Sequence, residues 1–191
     1  MKKYYASKPE ELQPRWQGDL TSIESSWHDA VADIPTPLFV VTGWKSNGRE
    51  NACMQSRAAF SASYGNFTCI LGWVRTAGHM YISLKETGCC VLNFFSAEIN
   101  DKCFDTIKNN GFETDEITAS GLTAEKANSV NSPLIKECFL NIECEYMWEH
   151  ELIPGDSSMA VVALKATGIY VDDEYYHGND KKKLLVWIGR H

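Results

Sequence analysis

No apolar run in this 191-residue chain approaches the ~20 residues that a membrane-spanning helix needs, so no membrane partner is expected. The amino terminus, Met1-Lys2-Lys3-Tyr4-Tyr5-Ala6-Ser7-Lys8-Pro9-Glu10-Glu11, turns polar and acidic where a signal peptide needs its apolar stretch, and a cytoplasmic location is expected. Basic residues are in deficit: 18 Lys and Arg stand against 25 Asp and Glu, a formal net charge of −7. A nucleic-acid backbone requires a basic face, so no nucleic-acid partner is expected, while a local basic pocket stays compatible with the balance. The seven cysteines form no CxxC pair, which removes the zinc ribbon and the thioredoxin motif and leaves reduced thiols as the reading. GxSxG, the Walker loop, HExxH and GxGxxG are all missing, so nothing marks a hydrolase, a nucleotidase or a zincin. His28, His79, His150, His177 and His191 lie far apart without metal-type pairing, and no metal site is expected.

What is present is a chain long enough for one core and a pocket, with 44% hydrophobic and 12% aromatic residues. Residues 1–34 are polar with scattered anchors Trp16, Ile23, Trp27 and Val31, an arm or helical lead-in; one domain over 35–191 follows. Leu38 to Trp44 is β-branched and aromatic, and Asn47-Gly48 after it favours a hairpin returning through Asn51 to Ser56. Arg57 to Asn66 reads as a small-residue loop before a strand over Phe67 to Val74. His79 to Thr87 suits either a strand or a helix stopped by Gly88, and periodicity does not decide. Cys89 to Phe95 reads as a strand with the vicinal cysteines on opposite faces; Ser96 then caps a helix with Ile99, Cys103, Phe104 and Ile107 on one face. Strands are expected over Cys138 to Tyr146, Met159 to Val171 and Leu184 to Ile188. The charged runs Asp172-Asp173-Glu174 and Lys181-Lys182-Lys183 read as solvated turns. About six strands joined mostly by short turns, with one clear helix, point to a mainly β antiparallel barrel.

The block from Pro37 to Phe95 holds an ordered set: Val41-Thr42, Gly48, Asn51-Ala52, Ser56, Val74-Arg75, His79-Met80-Tyr81, Lys85-Glu86-Thr87-Gly88 and Val91-Leu92-Asn93. In that order it resembles the FMN-binding split-barrel family, the flavin reductase and flavoredoxin-like proteins. Ala119 to Ala124, Pro133 to Glu137 and Ile142-Glu143-Cys144 are similar to the flavoredoxin branch. The chain departs from the pattern in three places. Tyr64-Gly65-Asn66-Phe67 replaces a Pro-Pro pair, Tyr81 stands where Thr or Ser is common, and Asp156-Ser157-Ser158 replaces a histidine before the penultimate strand.

The resemblance implies a six-stranded antiparallel split barrel of Greek-key type, a homodimer, and bound FMN with NADH or NADPH as transient reductant. A ribityl phosphate needs a forked cation and hydroxyl or amide donors, which Arg75, Thr76, Ser56 and Arg57 supply. The strand Asn51-Ala52-Cys53-Met54-Gln55-Ser56 offers main-chain groups to the pyrimidine edge of the flavin. His79 and Tyr81 fall in the phosphate-side segment, and Asn93 either ties down the next turn or touches the flavin. Any of Trp44, Trp73 and Trp187 that faces the ring restricts access to it. Three functions stay open at this point: hydride transfer from NAD(P)H through FMN to an acceptor, flavoredoxin-like electron transfer without nicotinamide activity, and a barrel without cofactor that serves as a binding protein. In the first two the cofactor carries the difficult step, so no side-chain acid or nucleophile is assigned.

Overall fold

The structure is a computed structural model that describes Tyr4, Ala6 and residues 34–63, 65–178 and 184–187. The chain divides into two compact units, residues 1–36 with 186–191, and residues 37–185. In the first unit the anchors Trp16, Ile23, Trp27 and Val31 lie outside the described residues, as do Lys181-Lys182-Lys183 of the second and Ile188. Two short strands, β1 (Thr36–Pro37) and β11 (Val186–Trp187), make a two-stranded sheet.

The second unit is built on seven antiparallel strands in the order β3-β2-β6-β9-β10-β5-β4. They are β2 (Phe39–Trp44), β3 (Glu50–Gln55), β4 (Ala58–Ser63), β5 (Asn66–Arg75), β6 (Cys89–Phe94), β9 (Leu140–Ile153) and β10 (Asp156–Val171). A small sheet pairs β7 (Ala124–Lys126) with β8 (Pro133–Ile135). The mainly β, antiparallel reading therefore holds, with one strand more than expected in the main sheet. The extra one is β4, which falls inside the stretch read as a loop. Its Ala and Ser residues carry little β propensity, and it is held in place by full antiparallel pairing with β5, from Ala58 opposite Leu71 to Ser63 opposite Asn66. The sheet does not close by hydrogen bonding: its two edge strands, β3 and β4, are consecutive in sequence and joined only by Ser56 and Arg57.

The undecided segment is a helix, α1 (His79–Thr87), ended by Gly88 in the left-handed region at φ 70°, where a side chain would be strained. Asn47-Gly48 makes the expected turn, with Gly48 at φ 79°. Ser96 starts a 3-10 turn (Ala97–Ile99) and makes no side-chain cap, which corrects the expectation of a capped helix; α2 (Asn100–Lys108) follows that turn. On α2, Cys103 is buried as expected, but Ile107 is 55% exposed. Two single-turn helices complete the unit, α3 (Glu116–Ala119) and α4 (Asp173–Tyr176), the latter capped by Asp172 Oδ1 accepting from Glu174 N–H at 3.0 Å.

β6 is buried along its whole length because both faces are covered. Cys90, Leu92 and Phe94 face the main core with Phe39, Val41, Leu71, Ile142 and Leu164. Cys89 and Val91 face Ala127, Val130 and Leu134, so the vicinal cysteines do point to opposite sides. All seven cysteines are free.

A buried carboxylate pins the segment after β7. Glu143 on β9 accepts hydrogen bonds from Asn128 N–H at 2.6 Å, Ser129 N–H at 2.6 Å and the Ser129 hydroxyl. Burial alone would raise its pKa, but these donors outweigh burial and hold the carboxyl below its ordinary value. A depressed carboxylate stabilises the fold above the unfolded-state pKa and loses that contribution as pH falls through the folded value. Stability is expected to drop as pH falls below about 4, and Glu143→Gln should flatten that part of the profile. Denaturant midpoints measured from pH 7 to pH 3 check this; an equally steep acid limb in both proteins would remove Glu143 as its source.

Candidate functional site

The outer edge of β3 is where the sheet meets the helices. In the ladder with β2, alternate residues of β3 turn their amides away from the sheet. Glu50 N–H and Ala52 N–H are two of these, and both are taken by carboxylates: Asp115 Oδ1 at 3.1 Å and Glu116 Oε2 at 2.8 Å. Glu116 is wholly buried, and its other oxygen lies 2.7 Å from Lys45 Nζ, itself 1% exposed at the side chain. Lys45 also donates to Gly111 O and Thr114 O, each at 2.7 Å. The acidic end of α3 and the Lys45 ammonium thus fix the first half of β3 and the loop after α2. The next outward position of β3, Met54, and Ser56 in the connector after it line a cavity.

That cavity has a volume of 620 Å³, in the range of small-molecule sites. One wall is the β3 edge and its connector, Asn51 through Arg57; the others are Trp73 and Arg75 at the end of β5, Ala77 to Met80 at the start of α1, and Thr106, Ile107 and Asn110 from and just after α2. Gly78 packs tightly there, its N–H donating to Arg75 O at 3.0 Å; a Cβ on it would come within 3.2 Å of the same oxygen. The first-turn amides of α1 lie past Gly78, with the positive end of the helix beside the cavity.

Electrostatics at the cavity run against the −7 charge of the chain. Among the described residues, neither Arg57 nor Arg75 is paired with a carboxylate. His79 Nδ1 is buried without a hydrogen-bond partner, 3.7 Å from Glu116 Oε1. Burial pushes the Cys53 thiol up to about 11, so at neutral pH it is a packing group and not a thiolate nucleophile.

Of the residues expected from sequence, Asn51, Ala52, Cys53, Met54, Gln55, Ser56, Arg57, Arg75 and His79 are brought together on this cavity, and three are placed elsewhere. Thr76 donates its hydroxyl to Ser157 O at 2.8 Å. Tyr81 points from α1 to β9, donating to Glu149 Oε1 at 2.8 Å. Asn93 is fully buried and fully engaged: its Nδ2 lies 2.9 Å from Thr42 Oγ1 and 3.0 Å from Val40 O, while Oδ1 accepts from Ile135 N–H at 2.9 Å and Asn141 Nδ2 at 2.8 Å. It ties β2, β6, β8 and β9 together, a cross-strand role that its sequence reading as a tie to the next turn did not contain. Sequence reasoning missed Ala77, Gly78, Met80, Thr106, Ile107, Asn110 and the Lys45–Glu116 pair. The one available signal was Ile107, an apolar residue whose helical face need not be the core face.

A family model described as the flavin reductase like domain matches residues 31–191. The chain belongs to that family. Solved structures agree on the fold of this flavin reductase-like chain. Flavoredoxin of Desulfovibrio vulgaris (Miyazaki F) is 19% identical over 83% of this chain and 78% of that one, with a TM-score of 0.61. Nitrilotriacetate monooxygenase component B from Bacillus cereus is also 19% identical, over 88% of each chain, with a TM-score of 0.69. An FMN-binding protein from Thermus thermophilus with bound 1-cyclohex-2-enone is 14% identical over 99% of this chain and 92% of that one, at 0.68. A search of curated proteins gives no match. No helix among the described residues is long and apolar enough to cross a membrane.

Proposed function

We propose that the cavity holds FMN and that the protein is a flavin reductase-like oxidoreductase. Bound FMN would supply the redox chemistry between a nicotinamide donor, NADH or NADPH, and a second acceptor. The observation that carries this reading is the pair of guanidinium groups without carboxylate partners among the described residues, set in one cavity with a strand edge and the start of a helix. Likeness to an FMN-binding protein supports the choice of cofactor.

Each group has a task in this reading. Arg75 and the first-turn amides of α1 take the phosphate, since a forked cation and a helix amino terminus both favour a dianion. Ala52 N–H is already committed to Glu116, so main-chain recognition of the ring falls to Met54 and Ser56 on the free part of the edge. Met80 and Ile107 give the cavity apolar wall and exclude water. No side chain is asked to be a nucleophile, which agrees with the protonated Cys53.

A second reading, electron transfer without nicotinamide activity, is supported by the likeness to flavoredoxin. One anaerobic experiment separates the two. Protein loaded with FMN is mixed with millimolar NADH or NADPH, then with dithionite, and the 450 nm region is followed. Bleaching by a nicotinamide within seconds is the expected result. Bleaching by dithionite alone would reject the reductase in favour of the electron carrier, and a protein that stays colourless with excess FMN would reject both.

A further inference from the structure

Trp73 stands out on the cavity wall for its backbone. Among the described non-glycine residues it alone has a positive φ, 54°, a left-handed conformation that a bulky side chain rarely adopts. The cause is a bulge. Ala160 of β10 pairs with Val74 and Val162 with Leu71, so β5 carries one residue more than β10 across this step. Such bulges re-aim a side chain, and here Leu71 and Val74 stay buried while Trp73 is turned out of the core, 53% exposed and lining the cavity. Its neighbour across the edge is also fixed: Gly72 N–H donates to Arg57 O at 2.8 Å, and the Arg57 guanidinium lies 5.7 Å from the centre of the Trp73 ring. Strain of this kind persists where the surroundings over-determine it, and it turns the largest apolar side chain of the strand toward a space, not toward a packing partner.

We propose that Trp73 is the stacking surface for the planar ring system of the bound flavin, with Arg57 holding the indole in place. The inference rests on the FMN reading above and deepens it: Arg57 acts through the indole, and the phosphate is left to Arg75. A stacked planar ring needs a flat, polarisable partner with one face free, which the half-exposed indole provides.

The test uses three ligands that share the ring: FMN, riboflavin and lumiflavin, which lacks both ribityl chain and phosphate. Trp73→Asn keeps a residue that tolerates the left-handed backbone and removes the ring. It should weaken all three ligands alike, by about tenfold, as expected for loss of one aromatic stacking contact. Trp73→Phe should stay close to the parent protein, and FMN binding should quench tryptophan emission more in the parent than in Trp73→Phe. Dissociation constants within twofold of the parent for Trp73→Asn, or a loss confined to FMN, would overturn the proposal while the FMN reading stands. Failure of the parent protein to bind FMN would instead remove the reading and the proposal with it. Should Trp73→Asn fail to fold, Trp73→Gly, which fits the same φ, is judged by the same criteria.

Discussion

Replacing Lys45 with Met is expected to be the most destabilising single change near the cavity, costing about 3–5 kcal/mol, because it strands a buried carboxylate. Lys45 and Glu116 are 1% and 0% exposed, so no water reaches the remaining charge. For a chain of this size the loss should appear as a fall in Tm of roughly 10 °C. The pair itself need not be strongly stabilising, since desolvation offsets much of the attraction. The double variant Lys45→Met with Glu116→Gln therefore tells more than either single one. Gln keeps an acceptor for Ala52 N–H and removes the charge. It is expected to regain most of the loss. A single Lys45→Met variant that loses less than about 1 kcal/mol in denaturant titration would show that the carboxylate finds another partner.

Arg75→Ala should produce the largest change in ligand binding. With the phosphate assigned to Arg75, FMN is expected to bind about 10- to 150-fold more weakly, the range for a charge-assisted hydrogen bond of ~1.5–3 kcal/mol. Its exposed position favours the lower end. Riboflavin, which has no phosphate, should be held within about twofold of the parent value. Flavin fluorescence titrations at fixed ionic strength measure both; equal weakening of the two ligands would take Arg75 off the phosphate.

How much of this was legible in the sequence depends on distance along the chain. The β2–β3 hairpin was readable because Asn47-Gly48 states its turn locally, and the end of α1 because Gly88 meets the left-handed requirement of the cap. The β3 wall and Arg75 were readable through the ordered family pattern. β4 was not, since a run of Ala and Ser becomes a strand only when β5 lies beside it. Nor was the Lys45–Glu116 pair, whose members are 71 positions apart and which looked like a turn lysine and one more acidic residue. Asn93 shows the opposite error: a polar residue in a buried strand was visible, but only the surrounding structure reveals that Thr42, Ile135 and Asn141 already satisfy it. Trp73 was visible as an aromatic, while the bulge that aims it depends on β10, more than eighty residues later.

The strand order has a consequence for how the protein comes into being. Every described residue that lines the cavity lies between Asn51 and Asn110, yet the walls belong to opposite arms of the sheet, β3-β2-β6 and β5-β4, which β9 and β10 span. A ribosome working from the amino terminus thus delivers these described walls of the cavity before the two strands that clamp those arms together. Short-range hairpins such as β2–β3 and β4–β5 can zip early, but the site acquires its shape only when residues 140–171 arrive, so its completion is a late event in the life of the nascent chain.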